Sequence, residues 1–249
     1  MPGRRCGSAL RSSPSASGAS HFSRARTGFG QSLVARRLAL DTSGTEYAMV
    51  LIEDGRCAGS VTWTRAGISA PAIVRLADLL SGAGWSPRDL DGVAAGRGPG
   101  SFTGLRVGLS LAAGLAYGRQ IPLYLVDSLE MVAARARGQA ASAVLRDAGR
   151  NEVYAWRRRE GALRLPVQGI DAWLRPGDLV LVEPAGALLR WAPNRAGLEV
   201  PAGEQQPLSD AMVTIANEIF DHAKPVRYDE LQALYSQPAA AEERKGNQP

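Results

Sequence analysis

The stretch GRGPGSFTGLRVGLSLAAGLAY, Gly96–Tyr117, decides how this chain is read. Gly98 and Gly100 flank Pro99, so the backbone must turn tightly where glycine alone is unstrained. Ser101 or Thr103 then supplies a hydroxyl able to cap a helix. The helix predicted over Thr103–Gly118 is apolar nearly all round. Leu105, Val107, Leu109, Leu111 and Leu115 cover most of its surface, while Gly104, Gly108, Ala112 and Ala116 repeat every four residues as a smooth stripe. A helix of this kind must be covered nearly all round. One face packs on a sheet, and the stripe lets a second helix approach closely. That second helix is either Ile73–Leu80 of this chain or one from a partner.

Working upstream, Leu38–Thr42, Tyr47–Ile52 and Arg56–Trp63 read as an antiparallel meander of three strands, with Asp54-Gly55 as a hairpin signal. On the third strand, Cys57, Gly59, Val61 and Trp63 are expected on one face. Ser69 is a candidate N-cap for a helix carrying Ile73, Leu76, Ala77 and Leu80, which Gly82 and Gly84 end. Gly92–Gly96 is a short buried strand entering the glycine turn. Downstream come a strand at Pro122–Val126 and a helix at Leu129–Arg137. Strands alternating with helices imply a partly parallel sheet with helices on its faces. From Ala140 the pattern restarts, with strands at Ser142–Asp147, Glu152–Arg158 and Leu179–Glu183 and an amphipathic helix at Ala211–His222. The expected division is a basic disordered leader at 1–37, a first lobe at 38–137, a smaller second lobe at 138–237 and a disordered tail at 238–249.

Composition narrows the chemistry. The net charge of +5 belongs to the leader, where residues 1–37 hold seven arginines and no acid; the remaining 22 basic and 24 acidic residues net −2. A charge argument for nucleic-acid binding would therefore rest on the leader alone. The leader reads as an over-long translated start, a transit peptide or a functional basic arm. No run of 18 apolar residues lacks a charge, so a membrane span is not expected. Two cysteines, Cys6 and Cys57, match no metal spacing and fit a reduced cytoplasmic compartment. The two histidines, His21 and His222, lie far apart, so no metal site is expected.

Two elements carry the remaining chemistry. Asp41-Thr42-Ser43-Gly44-Thr45 is either a hairpin turn or a holder for a metal-bridged phosphate. Gly98, Gly100, Ser101 and Thr103 form either a phosphate-binding helix start or a closely packed strand-to-helix turn. Asp41, Thr42 and Ser43 join them as the candidate nucleotide or phosphate site. P-loop, nucleophile-elbow and zinc-protease motifs are absent from the sequence. A dinucleotide fingerprint fails because Thr103 stands where its third glycine belongs, and Asp127 comes late.

Taken together these residues resemble the TsaB (YeaZ) family. The resemblance runs from about Leu38 to Pro238, through LALDTS (Leu38–Ser43), GRGPGSFTGLRVG (Gly96–Gly108), IPLYLVDSLE (Ile121–Glu130), RDAGRNEVYA (Arg146–Ala155) and ALYSQP (Ala233–Pro238). It implies an α/β, actin-like ATPase (RNase H-like) fold of two lobes, the second abbreviated. It implies a dimerisation subunit, without a metal site of its own, of the bacterial complex that makes N6-threonylcarbamoyladenosine beside the tRNA anticodon. The implied partners are a TsaD-like paralogue holding the transferase site and a TsaE-like ATPase, with tRNA met through the complex and a homodimer when the chain is alone. ATP or ADP with magnesium is implied only at a shared interface. The expected partner interface is Ile73, Leu76, Leu80, Gly104, Leu105, Gly108, Leu111, Ala112 and Leu115, and no catalytic residue is assigned. The alternative is an independent actin-fold ATPase or small-molecule kinase working through Asp41 and Thr42. Departures from the family are Gly67-Ile68-Ser69-Ala70, where many relatives carry a His-Ser pair, and a second half that is short and rich in proline and glycine. A protease reading finds no Ser/His/Asp set.

Overall fold

The computed structural model describes residues 34–64, 71–138 and 140–227. The leader before residue 34, the Ser69 cap and the tail from residue 228 lie outside these residues.

The first sheet grows from the meander. β1 (Arg36–Asp41) pairs antiparallel with β2 (Glu46–Glu53), and β2 with β3 (Arg56–Thr64). The chain then crosses through α1 (Ala72–Gly82) to β4 (Gly92–Gly96), parallel to β1. It crosses again through α2 (Phe102–Arg119) to β5 (Leu123–Val126), parallel to β4. The strand order is β3-β2-β1-β4-β5, the RNase H-like arrangement. Side chains alternate along a strand, and here both faces are apolar. Leu38, Leu40, Met49 and Leu51 meet Leu76, Leu79 and Leu80 of α1 and Leu109, Ala112 and Ala116 of α2. Ala39, Val50, Ile52 and Ala94 face the opposite way.

α3 (Ser128–Ala133), capped by Asp127, leads into the second sheet. β6 (Ala143–Gly149), β7 (Glu152–Arg157) and β8 (Gly161–Pro166) repeat the antiparallel meander. α4 (Ile170–Trp173) precedes β9 (Val180–Glu183), which lies parallel to β6 in the order β8-β7-β6-β9. That order matches β3-β2-β1-β4 of the first sheet, one strand shorter. The fold is therefore actin-like, α/β, with an abbreviated second lobe. α5 (Leu188–Trp191) and α4 bring Leu188 and Ile170 to one face of the second sheet. α3 is wedged between the lobes: Met131 joins the first sheet's core, while Leu129, Val132 and Ala133 join Val144, Tyr154 and Trp156 of the second.

Three expectations change. The last helix, α6 (Leu208–His222), packs Ala211, Met212, Ile215 and Phe220 on the far face of the first sheet. Residues 138–237 are thus not one lobe: the chain returns to the first, and Val226 goes on to pair with Leu123 of β5. The first strand does not start at Leu38 either, because β1 already begins at Arg36. On β3, Cys57 packs with the α6-side core, whereas Val61 and Trp63 pack with the α1 side. The register shifts between Leu51 and Ile52, which pair with Gly59 and Cys57. The extra residue, Ala58, reverses the alternation.

Candidate functional site

The residues expected to hold phosphate do converge, at the ends of β1 and β4 beside the second lobe. Asp41 ends β1 and is 1% exposed. Its carboxylate accepts the Ser43 backbone N–H (3.0 Å), the Ser43 hydroxyl (3.0 Å) and the Ser128 hydroxyl (3.1 Å). Burial pushes its pKa above the usual carboxylate value, with Arg146 and these hydrogen bonds acting against that shift. The Thr42 hydroxyl donates to the Gly104 carbonyl at 2.6 Å. Ser101 donates its N–H to the Ser43 carbonyl (2.7 Å), and its side chain accepts Gly104 N–H (3.3 Å), which caps α2. Gly98 donates to Ser128 at 3.0 Å. Gly98 is the turn position that needs glycine, with φ of 97°. Gly100 is demanded by close approach, since a Cβ there would stand 2.3 Å from the Ser43 carbonyl oxygen. Thr103 takes no part in this junction and lies exposed on α2.

The strand-to-helix turn is closely packed. Named polar groups of Asp41, Ser43, Gly98, Ser101 and Gly104 already bond one another. The residue that sequence reasoning missed is Arg146. Its side chain reaches out of β6, donating through Nε to Glu183 (2.6 Å) and through Nη1 to Ser43 Oγ and the Pro99 carbonyl (both 2.8 Å). Burial opposes its charge, but Glu183 and Asp41 outweigh that and hold its pKa above the ordinary arginine value. An arginine in the sequence LRDAG carries no local sign that it will be buried. Its main partner lies 37 residues away. Among the described residues no cluster of three metal-ligating side chains occurs.

The expected partner interface divides in two. Leu76, Leu80, Gly104, Leu105, Gly108 and Ala112 are buried within this chain, and Leu111 and Leu115 pack partly against its core. The small stripe therefore faces inward, where Gly104 and Gly108 let α2 lie directly on Thr42. Of the nine expected residues only Ile73 is exposed, at 58%. The outward side of α1 and α2 instead presents Ile73, Val74, Val107 and Tyr117, the last at 70%. Gly114 and Gly118 lie on the same outward side, and beyond the adjoining residues of the helix itself no described atom comes within 4 Å of a Cβ built on either. Arg106 stacks over Phe102 at the start of α2 (3.8 Å to the ring centroid).

Comparison with known proteins agrees with this architecture. The chain is 30% identical over 217 residues to the tRNA threonylcarbamoyladenosine biosynthesis protein TsaB of Escherichia coli, covering 80% of this chain and 94% of that protein. It belongs to the TsaB family. The corresponding TsaB of Bacillus subtilis is 36% identical over 119 residues, an alignment spanning about half of each (47% of this chain, 52% of the relative). YeaZ from Pseudomonas aeruginosa superimposes with a TM-score of 0.66 at 25% identity, covering 81% of this chain and 99% of the other. Residues 71–177, from the start of α1 into the second lobe, also match the family model described as TsaD, tRNA N6-adenosine threonylcarbamoyltransferase. No helix among the described residues is long and apolar enough to cross a membrane.

Proposed function

We propose that this chain serves threonylcarbamoyladenosine biosynthesis on tRNA as a non-catalytic subunit, docking a TsaD-like paralogue through the outward face of α1 and α2. The observation that carries the docking reading is the set of exposed apolar residues Ile73, Val74, Val107 and Tyr117 on two adjacent helices. A singly exposed apolar residue is ordinary; the reading rests on four of them lying on the outward side of two helices that pack side by side. The closed junction around Asp41 favours a supporting role over catalysis. A carboxylate that already accepts three hydrogen bonds has little left to hold a metal-bridged phosphate.

In this reading the chain works in the cytoplasm, keeps the partner's active site in shape and meets tRNA through the complex. A TsaE-like ATPase joins the pair, and the same face closes a homodimer when the partner is lacking. ATP or ADP with magnesium belongs at the shared interface rather than in the Asp41 junction.

The test is co-expression with the TsaD-like protein of the same organism. Ile73→Asp and Val107→Asp should each fold and fail to co-purify with it, because a buried unpaired carboxylate opposes association. Undiminished capture by both variants would move the interface elsewhere. Measurable ATP turnover by the isolated chain, lost in Asp41→Ala, would instead support the kinase or ATPase alternative.

A further inference from the structure

Arg146 is rooted in one lobe and bonded in the other. Its contact with Glu183 stays within the second sheet, since β6 and β9 are neighbours. Its contacts with Ser43 Oγ and the Pro99 carbonyl, both at 2.8 Å, belong to the two loops of the first lobe. Gly44 lies against the same head group, where a Cβ would stand 3.2 Å from Nη2. The three groups that accept its hydrogen bonds are all oxygens: a carboxylate, a hydroxyl and a carbonyl, with the Asp41 carboxylate bonded to that hydroxyl. Without the guanidinium, a buried anionic hollow would remain between the lobes, and leaving such charges unpaired is strongly unfavourable. Arg135 also spans Glu46 (3.4 Å) and Glu183 (3.7 Å), but at longer range and with an 18% exposed side chain.

We propose that the Arg146 guanidinium is a built-in ligand of the interlobe cleft, closing Thr42–Gly44 and Pro99–Ser101 onto the second lobe in the place of a bound small molecule. Its reach extends to α2. Ser101, two residues past Pro99, caps that helix and donates its N–H to the Ser43 carbonyl at 2.7 Å. The strap thus sets where α2 begins, and with it the position of Val107 and Tyr117. The effect on docking rests on the function proposed above; the strap itself does not.

The experiment uses the full chain and its Arg146→Ala and Arg146→Lys variants, followed by amide hydrogen exchange. Arg146→Ala should speed exchange at Ser43 and at Ser101–Leu105 on the order of tenfold or more, while the β2–β3 pairing stays protected. Millimolar ethylguanidinium should restore the protection, and ethylammonium at equal concentration should not, because only the planar fork meets several acceptors at once. Arg146→Lys, which keeps the charge, should exchange at an intermediate rate, and it carries the test if the alanine variant fails to fold. Wild-type exchange at both loops in every variant that folds would overturn the strap, as would equal rescue by the ammonium ion. Loosened loops with undiminished capture of the TsaD-like partner would overturn the link to α2 alone, leaving the docking face itself standing.

Discussion

Thr42 lies directly under α2: its hydroxyl donates to the Gly104 carbonyl at 2.6 Å, and its own carbonyl oxygen would be 1.9 Å from a Cβ on Gly104. One turn further on, a Cβ on Gly108 would stand 2.3 Å from Thr42 Oγ1. Neither contact can be relieved at the flexible end of a long side chain. Gly104→Ala and Gly108→Ala should therefore each destabilise the chain by about 1–3 kcal/mol through overpacking. Gly114 faces open space on the same helix, so Gly114→Ala should stabilise by about 0.5–1 kcal/mol through helix propensity. Urea unfolding midpoints check all three. Equal responses at 104, 108 and 114 would contradict the inward placement of the stripe.

The same helix shows what the sequence can and cannot disclose. The glycine turn, the Ser101 cap and the length of α2 are legible because they depend on local backbone chemistry. Which side of α2 faces inward is not legible: a helix apolar all round has no periodicity to choose a face, so the stripe fitted an internal or an external partner equally. The meander and the alternation of β4, α2 and β5 are legible from pattern. β8 is not, because Gly161–Pro166 is an edge strand whose residues are exposed or half-buried and do not alternate. Nothing in α6 says which sheet its apolar side will cover. The junction residues Asp41, Ser43 and Gly98 could be named from turn chemistry. Arg146 could not, since its place depends on Glu183 and on loops of the other lobe.

Asp178 should govern part of the acid sensitivity. It accepts Arg157 Nη1 (2.6 Å) and Nη2 (2.9 Å), the Arg175 N–H (2.8 Å) and the Ser142 hydroxyl (3.0 Å). Burial raises its pKa, but the Arg157 fork and the other bonds outweigh burial and leave the pKa below the usual value. A depressed folded pKa contributes stability that is fully present above the unfolded value, near 3.9, and is lost as pH falls through the folded value. Asp178→Asn leaves buried Arg157 with only the longer, 3.8 Å contact to the half-exposed Glu160 as charge partner and should cost about 3 kcal/mol at neutral pH. The wild-type advantage over this variant should shrink as pH falls below about 4. A constant gap across that range, measured by denaturant unfolding, would remove Asp178 from the acid response.

Asp41 should act with the opposite sign. Burial lifts its folded pKa above the unfolded value, so between the two the folded chain holds a proton that the unfolded chain has released. Stability attributable to Asp41 therefore rises as pH falls from the folded pKa toward about 3.9. Asp41→Asn cannot titrate and should lack this component, while its side-chain carbonyl can still accept the Ser43 N–H. The comparison is the difference in unfolding free energy between wild type and Asp41→Asn as a function of pH. A difference that moves against the wild type on acidification would show that the hydrogen bonds and Arg146 outweigh burial.

The last prediction separates core from docking surface within a few residues of one helix. Ala112 is fully buried against the first sheet, whereas Gly114 lies on the outward side, where no described atom beyond its own stretch of helix comes within 4 Å of a Cβ position. Ala112→Leu must force extra methylenes into a close-packed core and should destabilise by about 1–3 kcal/mol. Gly114→Leu should leave folding stability no worse, because a helical glycine gives way to a good helix former at an open site. If a TsaD-like helix approaches along the outward face, the same leucine obstructs it, since interaxial distance follows the side chains at the contact. Gly114→Leu should then show an unfolding midpoint at or above wild type together with at least tenfold weaker partner binding, a change of about 1.4 kcal/mol or more. Isothermal titration with the TsaD-like protein reads the second quantity. Full-strength binding by a stable Gly114→Leu chain would mean that the partner does not cross α2 at that turn. The docking surface would then contract to the α1 side, around Ile73 and Val74.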